Sequence, residues 1–198
     1  MKKLLIAAGV LALAFSGCKQ GAQYEDAGGS RTVVSLDKVN IQDFANAADF
    51  LVQSLLRSGA FAELSKSGTK PVIAISGVRN DTSGNFDTDQ LTKKIRIAIL
   101  NSGKAEISTT VAAGGRAEDA LARELKQQDD FAAGRDNLPK VPQYTLSGKI
   151  LEDRASAGDV KQTSYTFMLT LTRVGSGTSI WEEEKTITKQ GEKDSVGW

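Results

Sequence analysis

Tyr144-Thr145-Leu146-Ser147-Gly148-Lys149-Ile150 and Tyr165-Thr166-Phe167-Met168-Leu169-Thr170-Leu171-Thr172 are the stretches that decide the fold. In the first, Tyr144, Leu146, Gly148 and Ile150 alternate with Thr145, Ser147 and Lys149. In the second, Tyr165, Phe167, Leu169 and Leu171 alternate with Thr166, Met168, Thr170 and Thr172. A strand sends successive side chains to opposite faces, so this period of two predicts antiparallel strands with one face covered and the other less so. Gly175-Ser176-Gly177-Thr178 reads as a hairpin turn into a third strand from Ile180 to about Lys189.

Upstream the period changes. After Pro71, the run Val72-Ile73-Ala74-Ile75-Ser76-Gly77-Val78 is β-branched and almost wholly apolar, which predicts an interior strand buried on both faces. Ahead of it, Ile41, Phe44, Ala45, Ala48, Leu51, Val52 and Leu55 recur at the three-and-four spacing of one helix face. Asn40 stands at the cap, Asp43 is the acid of a capping box, and the helix is expected to end near Gly59. A second helix is expected from a box of Asp87 with Gln90, burying Leu91, Ile95, Ala98 and Ile99 and ending at Gly103. Residues 105–109 have strand composition. A third helix over residues 117–127 would turn Ala117, Ala120, Leu121 and Leu125 inward, and residues 128–141, with Pro139, are expected to be irregular. The sum is a single α+β domain, a mixed and largely antiparallel sheet flanked by helices, without internal repeats.

Composition narrows the function. The chain has 198 residues with 25 basic and 24 acidic side chains, no histidine and one cysteine, Cys18. Imidazole-dependent triads and metal sites are excluded, as are an internal disulfide and a thiolate cage. Near-neutral charge and the lack of a basic cluster interleaved with aromatics argue against nucleic acid as a partner. The chain is expected not to be an enzyme and to have no small-molecule substrate, no metal and no catalytic residues.

Met1-Lys2-Lys3 precedes an apolar run over residues 4–15. As a helix it would reach only ~18 Å, short of the ~30 Å hydrocarbon core, and so reads as a signal-peptide core. Phe15-Ser16-Gly17-Cys18 resembles the lipobox of bacterial lipoproteins, with Phe15 where the commonest form has Leu. The resemblance implies that residues 1–17 are a removed lipoprotein signal peptide and that Cys18 carries a diacylglycerol and an N-acyl chain, palmitate among them. Lys19, where an inner-membrane retention signal would place Asp, points to the periplasmic face of the outer membrane. Residues 18–35 are then the lipidated cysteine and a polar, glycine-bearing tether. As a coil, residues 19–35 span about 23 Å. The globular domain is expected over residues 36–190 and a tail over 191–198.

Asp81, Ser83, Asn85, Asp87 and Asp89 alternate in the manner of calcium ligands, but an EF-hand loop needs Gly at its sixth place and Glu at its twelfth. Counted from Asp81, Gly84 is fourth and Thr92 twelfth, so turn bonding and helix capping are the better reading. In Glu182-Glu183-Glu184-Lys185, only Glu182 and Glu184 share a strand face, beside solvent, so no paired acid and base is expected. Gly114-Gly115 reads as a flexible entry to the third helix. The polar loop Arg79-Asn80-Asp81-Thr82-Ser83-Gly84-Asn85 is the candidate partner-binding surface, through Arg79, Asn80, Asp81 and Thr82. Trp181 joins them as either a core residue or an exposed anchor.

Several stretches together resemble the penicillin-binding protein activator LpoB family. They are residues 72–84 with their Asn-x-Thr-x-Gly turn, residues 89–104 ending in Asn101-Ser102-Gly103-Lys104, and the pair Tyr144-Thr145-Leu146-Ser147-Gly148 and Gly177-Thr178-Ser179-Ile180-Trp181-Glu182. That resemblance implies an outer-membrane lipoprotein with a domain similar to the amino-terminal domain of TolB. It further implies a non-catalytic protein that binds a class A penicillin-binding protein and stimulates peptidoglycan synthesis. The best-known members carry a long proline-rich arm, whereas residues 19–35 contain no proline. The alternative is an outer-membrane assembly or secretion accessory with a TolB/CsgG-like domain.

Overall fold

The computed structural model describes residues 24–26, 29, 32–60, 70–111, 117–134 and 142–192. The signal segment, Phe15, Ser16, Gly17, Cys18, the first part of the tether, Gly114-Gly115, Pro139 and residues 193–198 lie outside them. Along the described chain come α1 (Ile41–Arg57), β1 (Val72–Asp81), α2 (Asp89–Asn101), β2 (Glu106–Ile107), α3 (Ala120–Ala132), β3 (Tyr144–Ala157), β4 (Val160–Arg173) and β5 (Thr178–Glu192). The strands form one sheet in the order β2-β1-β3-β4-β5. β1 lies parallel to both its neighbours, and the β3–β4 and β4–β5 pairs are antiparallel. This is the expected α+β class.

The alternation in β4 passes directly into burial. Thr163, Tyr165, Phe167, Leu169 and Leu171 are buried, while the side chains between them are half-buried. Opposite them on β3 stand Leu146 and Ile150, also buried, and α1 and α2 cover this face. Phe44 of α1 meets Phe167 edge-on at 6.2 Å between ring centroids, a favourable aromatic geometry. Burial pushes the Tyr165 phenol up to about 12, so it stays neutral. The other face is hydroxyl-rich and open, with Thr166 and Thr186 joined at 2.9 Å and Ser164 and Thr188 at 3.0 Å across β4 and β5.

β3 and β4 are twice as long as their apolar alternation. They pair without interruption from Tyr144↔Arg173 to Ala157↔Val160, closed by a turn at Gly158 with φ +59°. Residues 152–164 are polar because this part of the hairpin runs beyond the helix-covered core, where backbone pairing sustains it.

β1 corrects two expectations. It is buried on both faces only over Ile73, Ala74 and Ile75: beyond them Ser76 is exposed, a bulge falls between Ile75 and Gly77, and Val78 alone is covered. Gly77 adopts φ +89°, which a side chain would strain. The strand also runs on to Asp81, so Arg79, Asn80 and Asp81 are strand residues rather than loop. β2 is shorter than the expected strand over residues 105–109.

α1 begins as expected, the Asp43 carboxylate accepting the Asn40 backbone N–H at 2.7 Å. Its buried face includes Ala47, whereas Ile41 is 45% exposed at the first turn. α2 starts one residue later than an Asp87–Gln90 box requires, with Thr88 at the cap and Asp87 accepting from the Asp89 N–H at 2.8 Å. α3 differs most. It continues to Ala132, into the stretch expected to be irregular, and none of its described residues is buried. Leu121 and Leu125, expected inward, are 64% and 55% exposed. The helix is joined to the body through Thr109, whose carbonyl accepts from the Glu118 and Asp119 N–H groups, and through an Arg96–Glu118 ion pair. Apolar spacing defined a face for this helix, but among the described residues no surface covers it. No helix among the described residues is long and apolar enough to cross a membrane.

Candidate functional site

Asn80 builds the turn that follows β1. Its side-chain oxygen accepts from the Thr82 N–H at 3.0 Å and hydroxyl at 2.7 Å, and its Nδ2 donates to the Gly84 carbonyl at 2.7 Å. The Thr82 hydroxyl oxygen in turn accepts the Gly84 N–H at 3.2 Å. The Asn80 side chain, the Thr82 hydroxyl and the Gly84 N–H and carbonyl are thereby bonded inside the turn, which is the bonding Asn and Thr favour in turns. Among the described residues no cluster of three or more acidic, His or Cys side chains could hold a metal.

The turn is fastened to β3 through Ser83. Glu152 Oε2 accepts both the Ser83 N–H and its hydroxyl at 2.7 Å, Arg154 Nη2 donates to the Ser83 hydroxyl at 2.8 Å, and Arg154 Nε pairs with Glu152. The Glu152 side chain is only 6% exposed. Burial alone would raise its pKa, but the two Ser83 hydrogen bonds and Arg154 outweigh that and hold it below the ordinary carboxylate value. A depressed carboxylate contributes stability that is present above its unfolded pKa and lost as pH falls through the folded one. Glu152→Gln removes the charge while keeping the shape. Amide exchange at Ser83 should speed up in that variant at neutral pH and converge with wild type on acidification; equal exchange at pH 7 would mean that the contact does not hold the turn.

Arg79 and Asp81, two apart on one face of β1, form a forked pair, with Arg79 Nε at 2.7 Å from Asp81 Oδ1 and Nη2 at 2.6 Å from Oδ2. The Arg79 hydrogen bond lowers the Asp81 pKa and raises its own. The guanidinium is 70% exposed, and the pair gives this end of the open sheet face a fixed polar relief. Trp181 stands elsewhere. It pairs with Leu171 beside the turn at residues 174–177 and is partly buried against the core. The register places Asp81 beside Leu151, which pairs with Thr166, which pairs with Thr186. Trp181 is therefore five residues, roughly 17 Å, farther along the sheet and three strands across. The candidate residues divide into two surfaces. Glu152 and Arg154, which position the turn, were missed by sequence reasoning. Their signal was present, since they continue the covered-face period of Leu146, Gly148 and Ile150 with polar residues.

The family model of the peptidoglycan-synthase activator LpoB matches residues 43–187, from the Asp43 cap to the core-facing Ile187 of β5. The chain belongs to the LpoB family. Among solved structures, the LpoB carboxy-terminal domain of Salmonella enterica is 20% identical, covering 73% of this chain and 98% of that one with a TM-score of 0.42. The corresponding Escherichia coli domain is 17% identical, covering 74% and 99% with a TM-score of 0.44. A lipoprotein of Neisseria meningitidis, GNA1162, is 10% identical over 61% of this chain and 83% of its own, with a TM-score of 0.39. No curated protein sequence matches the chain. The span of the LpoB match takes in α1, the Asn80 turn and nearly all of the sheet, so the turn and its Glu152 fastening lie within the family's domain.

Proposed function

We propose that this LpoB-family chain is a non-catalytic outer-membrane lipoprotein, held on the periplasmic face through lipid on Cys18, that binds and activates a class A penicillin-binding protein. The family match over residues 43–187 carries this reading. The site chemistry agrees with it: the exposed Arg79–Asp81 pair and the hydrogen-bonded turn beside it offer a polar surface for docking, and the chain has no histidine. A pull-down with the detergent-solubilised lipoprotein, followed by a glycan-chain assay, tests it. The expected result is a bound synthase whose rate rises with added lipoprotein. No captured synthase and no change in rate sinks the reading, and release of muropeptides by the purified protein alone would make it a hydrolase instead.

The anchor has its own test. Cys18→Ala should abolish palmitate labelling and leave the precursor uncleaved, read as a slower-migrating band. A normal-size mature form from that variant would mean an ordinary signal peptide. Three acyl chains at ~0.8 kcal/mol for each buried CH₂ would hold firmly, and a tether of about 23 Å would keep the domain close to the membrane.

A further inference from the structure

β5 is the outermost strand of the sheet, and among the described residues nothing pairs with its outer edge over Thr178–Glu192. Ile180 is bulged out of the β4 pairing, and from Trp181 to Glu192 the strand runs without a shift; that part of the edge presents a row of unpaired N–H and C=O groups and is a ready template for another strand. One of these groups is closed by a side chain: the Glu184 N–H donates to Glu183 Oε1 at 3.2 Å. Above the same stretch, Phe50 of α1 is 40% exposed, with Lys185 Nζ 4.8 Å from its ring centroid. An apolar ring and an open strand edge therefore lie together.

We propose that this edge is the contact surface of a two-fold homodimer, in which β5 of two copies pair antiparallel with the axis through Glu184. Charge and shape select this register. It sets Glu183 opposite Lys185 of the copy, and Lys185 opposite Glu183, on the helix-covered face. It also sets Trp181 opposite Ile187 twice, both residues that already lean on the core, and aromatic with β-branched is a favourable cross-strand pair. Moving the axis to Lys185 puts two lysines face to face and leaves Glu183 against Ile187. Moving it to Glu183 sets Glu182 against Glu184. With the axis at Glu184, the Glu184 N–H and C=O groups of the two copies bond each other, the two sheets become one, and the Phe50 rings are brought toward the join. A C2 interface requires a self-complementary patch, which β5 supplies. On the open face Glu184 meets its own copy, a like-charge pair that opposes association and that Glu184→Gln removes.

The test uses the full-length lipoprotein in detergent. Glu184→Cys should give a disulfide-linked dimer on mild oxidation, since directly opposite residues in a bonded antiparallel pair lie about 5.5 Å apart between Cα atoms. Thr188→Cys, which this register places opposite Ile180, should not. In sedimentation, Lys185→Glu should weaken association about tenfold, the combined Glu183→Lys/Lys185→Glu variant should restore it, and Glu184→Gln should tighten it a few-fold. Circular dichroism melting confirms that each variant is folded. A monomer at all accessible concentrations, equal crosslinking at positions 184 and 188, or failure of the charge swap to restore association overturns the proposal.

Discussion

Lys189→Met is expected to lower stability by about 3–5 kcal/mol, because it leaves Asp43 charged and buried without its partner. The two side chains are 8% and 9% exposed and 2.5 Å apart. Lys189 Nζ also donates to the carbonyls of Ser35 and Lys38 at 3.1 and 2.8 Å, so its three donors have three acceptors. Asp43 accepts the Asn40 N–H as well, and its charge therefore serves the start of α1, β5 and the entry of the tether together. Chemical denaturation measures the loss. In a melt it should appear as a drop of roughly 10 °C, at ~2–4 °C for each kcal/mol in a chain of this size. Lys189→Met/Asp43→Asn should recover most of it, since the amide keeps an acceptor for Asn40 while the unpaired charge is gone. A single variant within about 1 kcal/mol of wild type would mean that water replaces the lysine. Amide exchange over residues 36–40 should quicken in the single variant, because the entry segment loses the ammonium that gathers its carbonyls.

Gly148→Val is the second large effect, a destabilisation of about 3 kcal/mol or more by overpacking. Gly148 occupies a core-facing place on β3 opposite Leu169. A Cβ there would come within 2.6 Å of the Met168 carbonyl oxygen and 2.7 Å of Leu169 Cδ2. The first neighbour is backbone and cannot turn aside, so β3 and β4 would have to move apart. Alanine already meets this clash, and valine adds two methyl groups to it. Denaturation midpoints should fall in the order wild type, Gly148→Ala, Gly148→Val. An alanine variant as stable as wild type would show that the strands can part there at no cost. Leu169→Ala in the valine background should return some of the loss by emptying the space that Leu169 fills.

Much of the fold was legible because two side-chain periods were clean. The alternation through Tyr165, Phe167, Leu169 and Leu171 became the buried face of β4, and the spacing of Phe44, Ala48, Leu51, Val52 and Leu55 became the buried face of α1. Gly103, expected to end α2, does so at φ +65°. Residues 153–161 were not legible as strand because their side chains face water, and pairing between backbones leaves no mark in composition. Leu121 and Leu125 misled for the opposite reason: they carry the period of a buried helix, and among the described residues nothing buries them. At the candidate site the Asn80 turn could be read, since Asn, Thr and Gly bond within a few residues of one another. Its fastening could not, since Glu152 lies 69 residues from Ser83 and meets it only when β3 is laid beside β1.

By itself the sequence determined which residues form strands and helices in the core, which faces those elements bury, and that no imidazole is available, since each follows from side-chain type and local spacing. Only the tertiary structure decided that Arg79 and Asp81 extend a strand, that Lys189 reaches back to Asp43, and that position 148 has no room for a side chain. The physical reason is the same in each case. Periodicity names a face but not what lies against it, and that is settled by residues far apart in the chain competing for the same space and the same charge.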